Sequence, residues 1–228
     1  PPPSPPPVPN NACDGGGRGR SLIIGSSVVK GFRANDEGWL DANRGYAQRL
    51  EAYMTAVLGL DQPSDKSGFQ VGGSDTGVFL CPTGTGCDAR YTAMSAELFN
   101  TRPRVMVIGL SLGNEGLSDA ATAEAAAAIG DTFKAGLQAL VAVADQYAAP
   151  VVIMGVYPDS RLTAVQTAQL HATNDELRAE VPTWQRGPKY VDWLSELAKC
   201  SDPTDATCGH WKDNYKHGAA GTTDTTDP

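Results

Sequence analysis

The chain has 228 residues, of which 41% are hydrophobic and 19% are charged, proportions typical of a globular protein. This length is sufficient for one domain with a full hydrophobic core. The formal net charge is −8 and the isoelectric point is about 4.8. Nucleic acid requires a basic surface, so we predict no nucleic-acid partner. No run of residues approaches the roughly 18 apolar positions of a membrane-spanning helix, so we also predict no membrane span.

Residues 1–9, PPPSPPPVP, begin the chain with a proline-rich segment. Proline fixes φ and removes a backbone donor, so we predict a polyproline II helix here rather than an α-helix or a strand. We therefore divide the chain into a proline-rich stalk over residues 1–12 and one domain over residues 13–228. An unmodified linker is the alternative interpretation of the stalk.

The rest of the chain alternates between short apolar runs and segments with helical periodicity. In chain order, we predict strands over residues 21–25, 105–112, 151–157 and 189–193, and helices over residues 43–59, 88–100, 118–147 and 163–180. Residues 62–87 are predicted to form loops, with at most one strand near residues 78–80. Because strands and helices alternate regularly, we predict an α/β fold with a parallel sheet covered by helices on both faces.

Four of the five cysteines fall into two close pairs, Cys81 with Cys87 and Cys200 with Cys208. Short-loop disulfides are plausible in these Gly-, Thr- and Asp-rich segments, and they indicate an oxidising, extracellular compartment. A zinc site is the alternative, but the chain lacks the usual C-x-x-C and H-x-x-x-H spacings, so we predict no metal. Cys13 has no partner in these two pairs. It is a free thiol, forms a disulfide with another chain, or pairs with a cysteine outside this sequence.

Polar residues follow two of the predicted strands. Ser26 and Ser27 come directly after the strand over residues 21–25, and Asn114 follows the strand that begins at residue 105. Chemistry in an open parallel sheet lies at the carboxyl ends of the strands. A serine there can act as a nucleophile if a base is adjacent, and an amide can stabilise developing negative charge. Taken singly, each residue is also typical of a turn or a helix cap.

These two segments resemble, in chain order, sequence blocks of the SGNH (GDSL) hydrolases. Residues 25–28, GSSV, stand where that family has Gly-Asp-Ser-Leu, and residues 112–115, LGNE, stand where it has Gly-x-Asn-Asp. Ser26, Leu112 and Glu115 depart from the family's pattern. The resemblance implies a three-layer α/β/α sandwich with a parallel sheet, of the SGNH or flavodoxin-like type.

The resemblance also implies roles for individual residues. Ser27 corresponds to the nucleophile, and Asn114 corresponds to the side chain that donates to the oxyanion. The family uses a loop glycine as a further oxyanion donor, and we assign this role to Gly73 in preference to Gly72 and Gly77. No cofactor is implied.

The catalytic base is harder to place. The family ends in Asp-x-x-His, with the histidine as base and the aspartate orienting it. The three histidines, His171, His210 and His217, do not occur in this spacing. Asp227 and the proline after it match the first two positions of the motif, so we expect Asp227 to orient a histidine that would follow Pro228.

Two functions are consistent with these patterns. The first is a serine esterase that removes acyl groups from a polysaccharide or glycan. The second is a non-catalytic module of an extracellular assembly, because the Ser-Pro-Pro-Pro unit resembles the hydroxyproline-rich glycoproteins of plant and green-algal walls and flagellar surfaces, including mastigonemes. In that case the proline-rich segment would join other chains of the assembly. Carbohydrate binding is a third possibility, with sugars stacked on the tryptophans Trp39, Trp184, Trp193 and Trp211.

Overall fold

The computed structural model describes residues 19–30, 46–63, 68–82, 84, 86–159, 161–198, 200–202 and 204–209. Several sequence-based assignments lie outside these residues: the proline-rich stalk over residues 1–12, Cys13, Trp39, His210, Trp211, His217 and Asp227.

The described residues form a four-stranded parallel sheet in the spatial order β1-β2-β3-β4. The strands are β1 (Ser21–Gly25), β2 (Val105–Gly109), β3 (Val151–Met154) and β4 (Lys189–Val191). Gly25 lies opposite Gly109, so the carboxyl ends of β1 and β2 are level. At the outer edge of β1, the Gly25 N–H donates to the Phe69 carbonyl at 2.8 Å, and the Val71 N–H donates to the Gly25 carbonyl at 3.1 Å.

Six α-helices are found in the same part of the chain: α1 (Ser27–Lys30), α2 (Tyr46–Leu58), α3 (Ala89–Thr101), α4 (Ala123–Gln146), α5 (Ala164–Glu180) and α6 (Trp193–Leu197). Short 3₁₀ helices occupy Gly77–Phe79, Leu117–Asp119, Val181–Thr183 and Ala206–Gly209. Side-chain caps explain where three of the long helices begin. Asp88 caps α3 as predicted, Thr122 caps α4, and Thr163 forms a capping box with Gln166 at the start of α5.

Helices cover both faces of the sheet. Successive strand residues point to opposite faces, and each face has its own hydrophobic cluster. Leu22 and Ile24 of β1 pack with the apolar sides of α3, α4 and α5. Ile23, between them, packs with α1 and α2. The predicted three-layer α/β/α sandwich with a parallel sheet is therefore confirmed.

The observed strands are shorter than the predicted ones. β2 ends at Gly109 and not at residue 112, β3 ends at Met154 and not at residue 157, and β4 ends at Val191 and not at residue 193. Leu112 is only 1% exposed although it lies in a turn, so the apolar run here reflects burial rather than strand pairing. After β4, the Asp192 side chain accepts the Ser195 N–H and starts α6.

Two further boundaries differ from the prediction. The strand predicted near residues 78–80 is wrong, because Gly77–Phe79 form a 3₁₀ helix in which the Asp75 carboxylate accepts the Val78 N–H at 3.0 Å. The helix predicted from residue 118 begins instead at Ala123, after the Thr122 cap. A local side-chain acceptor sets the backbone in both places.

α4 has the length and composition of a membrane-spanning helix, which qualifies the sequence-based statement that no run approaches this threshold. One stripe of the helix, including Phe133, Leu137 and Leu140, is buried in the cluster that contains Leu22. A helix with a buried apolar stripe and a polar opposite side is typical of a domain core.

Both predicted disulfides are present, Cys81–Cys87 with Cα atoms 5.1 Å apart and Cys200–Cys208 with Cα atoms 4.5 Å apart. Among the described residues, Cys200, Asp205 and Cys208 are close enough to form a group of potential metal ligands. The disulfide consumes both thiols of this group, so they cannot bind a metal as thiolates. The two disulfides suggest an oxidising environment.

Candidate active site at the carboxyl ends of the strands

Ser27 stands at the carboxyl end of β1, where the chain turns directly into α1. The turn is tight because Ser26 is fully buried and its N–H donates to the Gly109 carbonyl of β2 at 3.2 Å. A side chain at Gly25 would meet the same carbonyl, since a Cβ placed there would lie 2.5 Å from it. Only glycine fits this close approach. Ser27 is half-buried and forms the first residue of α1.

The loop around residues 70–77 lies next to Ser27. A Cβ placed on Gly72 would be 3.7 Å from the Cβ of Ser27, so Gly72 is the neighbour of the candidate nucleophile. Gly73, our assignment from the sequence, has a φ of +72° and no heavy atom within 4 Å of a Cβ placed on it. The structure therefore brings Gly72 rather than Gly73 into side-chain range of Ser27, and an oxyanion role for Gly73 stays a prediction.

Asn114 reaches the same loop from β2. The chain turns after Gly109, and the Asn114 N–H donates to the Ser111 carbonyl at 3.1 Å. The Asn114 side-chain amide donates to the Ser74 carbonyl at 3.1 Å. Ser27 and Asn114 thus border one three-residue stretch, Gly72 to Ser74, from two neighbouring strands. An amide nitrogen has two hydrogens, and one remains for another acceptor.

Glu115 makes a second connection between the two loops. Its Oε1 accepts the Thr76 N–H at 2.7 Å. Burial raises the pKa of the Glu115 carboxyl; the hydrogen bonds from Thr76 act in the opposite direction, and the nearby Asp75 charge adds to the rise. The residue that departs from the family's Asp thus anchors the loop that lies beside Ser27.

We expect Glu115→Gln to raise the free energy of unfolding, relative to wild type, more at pH 7 than at pH 4. The folded protein favours the protonated Glu115 carboxyl, so the wild type loses stability as pH rises through the raised pKa, whereas glutamine does not titrate. The gain should be about 1.4 kcal/mol for each unit by which the folded pKa exceeds the unfolded one. Urea unfolding of both proteins at pH 4 and pH 7 measures it.

Glu115→Leu is the matched control, because leucine cannot accept the Thr76 N–H. It should lower the free energy of unfolding at both pH values by about 1–2 kcal/mol. A difference between the Gln variant and the wild type that is the same at pH 4 and pH 7 would contradict the proposed titration of Glu115.

Buried hydroxyls lie beneath the site. Ser26 Oγ and the Tyr157 hydroxyl are 3.1 Å apart, and Tyr157 also hydrogen-bonds Ser111. Burial raises the pKa of Tyr157 to about 12, despite these hydrogen bonds. The tyrosine is therefore neutral at the pH values at which esters are assayed, and it joins the loops after β1, β2 and β3.

An ion pair between a buried carboxylate and an exposed guanidinium lies beside the Asn114 turn. Both carboxylate oxygens of Asp159 bind Arg161, at 2.9 Å from its Nε and 2.6 Å from its Nη2. A Cβ placed on Gly113 would be 3.1 Å from Asp159 Oδ2 and 3.7 Å from Arg161 Nη2. The pair therefore packs against the residue that precedes Asn114.

No family model matches the chain, and no curated protein matches it in sequence. Solved structures do match. AlinE4, an SGNH-hydrolase family esterase, is 19% identical, with a TM-score of 0.50 over 80% of this chain and 79% of its own. A candidate acylhydrolase from Bacteroides fragilis is 14% identical, with a TM-score of 0.53 over 90% and 80% of the two chains. A candidate arylesterase from Agrobacterium tumefaciens is 16% identical, with a TM-score of 0.50 over 84% and 93%.

The domain has an SGNH-hydrolase-like fold. At these sequence identities the likeness concerns the fold alone.

Of the remaining candidates from the sequence, His171 can be placed in this SGNH-like domain. His171, the histidine that the described residues include, lies on α5 and lines a cavity of about 820 Å³ together with Ser195 and Cys200. None of the residues that line this cavity belongs to the loops that contact Ser27 or Asn114. Asp227 lies outside the described residues, so its role stays a prediction.

Sequence reasoning missed three parts of the candidate site: the Ser74 carbonyl as the partner of Asn114, the contact of Glu115 with the loop, and the Asp159–Arg161 pair. The first two are contacts between loops about 40 positions apart, which no local pattern encodes. The third had a local signal, because opposite charges two residues apart follow Pro158 in a predicted loop.

Proposed function

We propose that the SGNH-like domain is a serine esterase with Ser27 as its nucleophile and Asn114 as an oxyanion donor. The observation that carries the proposal is that both residues border Gly72–Ser74 from the ends of adjacent strands. A nucleophile and an oxyanion donor must act on the same carbonyl group, so the two side chains have to lie at the same place in the fold.

In the proposed reaction, Ser27 Oγ attacks the ester carbonyl carbon while its proton passes to a base. The carbonyl oxygen becomes negatively charged and receives the free N–H of the Asn114 amide. Collapse of this intermediate expels the alcohol, which takes up the proton, and leaves an acyl group on Ser27. Water then releases the acid by the same steps. The base is a histidine outside the described residues, oriented by Asp227 in our assignment.

The proposed substrates are O-acyl esters of carbohydrates, and the proposed setting is an extracellular glycoprotein. Two observations support the setting. Both disulfides fit an oxidising compartment, and the segment over residues 1–9 has the composition of a hydroxyproline-rich stalk. The stalk would hold the esterase next to the glycans of its own assembly.

A fluorophosphonate probe tests the proposal directly. It phosphonylates an activated serine with loss of fluoride, and mass spectrometry of a digest then locates the modified residue. The full chain should be labelled at Ser27, and heat-unfolded protein should not be labelled. Labelling at another serine would contradict the assignment of Ser27 as the nucleophile. Absence of labelling would favour the alternative function, a non-catalytic structural module of a cell-wall or flagellar glycoprotein.

A further inference from the structure

Arg161 supplies a positive charge to the described loops of the candidate active site. The described loops near the candidate site are residues 70–77, which begin at the residue that pairs with Gly25, residues 110–120 after β2, and residues 155–159 and 161–163 after β3. Directly after β1 the chain enters α1, which ends at Lys30. Among the residues of these loops, Arg161 is the one lysine or arginine. The net charge of −8 repels anions at long range, and a local cation offsets this repulsion.

Asp159 fixes the direction in which Arg161 points. The Asp159 side chain is 8% exposed and that of Arg161 is 48% exposed, so the carboxylate is buried and the guanidinium is open to solvent. Asp159 Oδ1 also accepts the Arg161 N–H at 3.0 Å, which holds the backbone of the turn. A guanidinium held in this way loses little rotamer freedom on binding a ligand.

The Arg161 guanidinium has N–H donors that Asp159 does not use. Asp159 takes the Nε hydrogen and one Nη2 hydrogen. A guanidinium has five N–H donors, so three remain, two of them on Nη1. Arg161 interacts with one further charge, that of Asp119. Asp119 is solvent-exposed, and water and salt screen an exposed charge far more than a short hydrogen bond.

Arg161 also lies beside the turn that carries the candidate oxyanion donor. Its Nη2 is 3.7 Å from a Cβ placed on Gly113, the residue before Asn114. A substrate whose carbonyl lies beside Asn114 would therefore have Arg161 close to it.

We propose that Arg161 binds a carboxylate on the substrate, so that the enzyme prefers esters that carry a second, ionised carboxyl group. This inference rests on the proposed esterase function and names its substrate class. Half-esters of dicarboxylic acids and esters of acidic sugars belong to this class. Planar, bidentate recognition of a carboxylate is the interaction for which arginine is suited and lysine is not.

The test compares two esters that differ only at the far end of the acyl chain. The mono-4-nitrophenyl ester of adipic acid carries a carboxylate where 4-nitrophenyl hexanoate carries a methyl group. In Arg161→Gln, kcat/KM for the adipate ester relative to the hexanoate ester should fall about tenfold, while kcat/KM for the hexanoate ester stays within about twofold of wild type. Arg161→Lys should lie between the two proteins.

Arg186→Gln is the matched control. Arg186 is 55% exposed and pairs with the mostly buried Asp145. It precedes β4, so it lies at the amino end of a strand, whereas the candidate site lies at the carboxyl ends. In this variant, the ratio of kcat/KM for the adipate ester to kcat/KM for the hexanoate ester should be the same as in wild type.

The outcomes are separable. An unchanged ratio in Arg161→Gln, or an equal loss with both esters in both Arg161 variants, would overturn the carboxylate site while leaving the esterase intact. Hydrolysis of both esters by Ser27→Ala at the wild-type rate would instead overturn the proposed function itself.

Discussion

Ser27→Ala should lower kcat for 4-nitrophenyl acetate by about 10³-fold or more and leave the fold intact. Alanine cannot form the acyl intermediate, and removing a serine nucleophile typically costs several orders of magnitude in rate. Ser27 is half-buried at the start of a short helix, so loss of its hydroxyl should change the free energy of unfolding by less than about 1 kcal/mol. Steady-state kinetics with thermal unfolding of the same preparations measures both effects.

Ser26→Ala is the matched control for Ser27→Ala. Ser26 is fully buried and bonded to the Tyr157 hydroxyl, so its loss should cost about 1 kcal/mol of stability, with a far smaller loss of rate. We thus expect Ser27→Ala to lower the rate with little loss of stability, and Ser26→Ala to lower stability with little loss of rate. Equal kinetic losses in the two variants would count against Ser27 as the nucleophile.

Gly25→Ala should destabilise the protein by about 3 kcal/mol, which corresponds to a fall in Tm of roughly 10 °C. The new Cβ would lie 2.5 Å from the Gly109 carbonyl oxygen and 2.2 Å from Val29 Cγ2. The valine can shift, but the carbonyl oxygen belongs to the backbone of the central strand, so β1 and β2 would have to separate. Because Ser26 and Ser27 follow directly, esterase activity should fall as well.

Gly72→Ala is the control for this substitution. A Cβ at Gly72 makes an ordinary contact of 3.7 Å with Ser27, so the fold should tolerate it with a stability change below about 1 kcal/mol. Thermal unfolding of the two variants side by side distinguishes a steric requirement at Gly25 from a general sensitivity of this region. Equal destabilisation would show that the approach of β1 to β2 is not the limiting contact.

The sheet and the positions of Ser27 and Asn114 could be predicted because they depend on local signals. Apolar runs mark β1 and β2, and a polar residue after each run falls at the same edge of a parallel sheet. The strand ends were overestimated at Leu112 because an apolar residue in a buried turn has the same composition as one in a strand. Periodicity reports burial, and it does not report which backbone groups are paired.

The choice between Gly72 and Gly73 could not be made from the sequence. Their positions depend on the register of residues 69–71 against Gly25, which two backbone hydrogen bonds determine. Hydrogen bonds between backbone groups do not depend on which side chains the residues carry, so the sequence does not reveal them. The Asp159–Arg161 pair shows the converse: its charges are visible in the sequence, but their place beside Gly113 depends on tertiary packing.

Four hydrogen bonds that join residues 69–76 to β1 and to the loop after β2 use main-chain atoms of that segment. Most of its side chains can therefore drift over evolutionary time without altering its path, provided that Asn114 and Glu115 persist. Divergent lineages would then keep this shape long after their residues ceased to align. The present chain has its fold, and not its sequence, in common with the solved structures that match it.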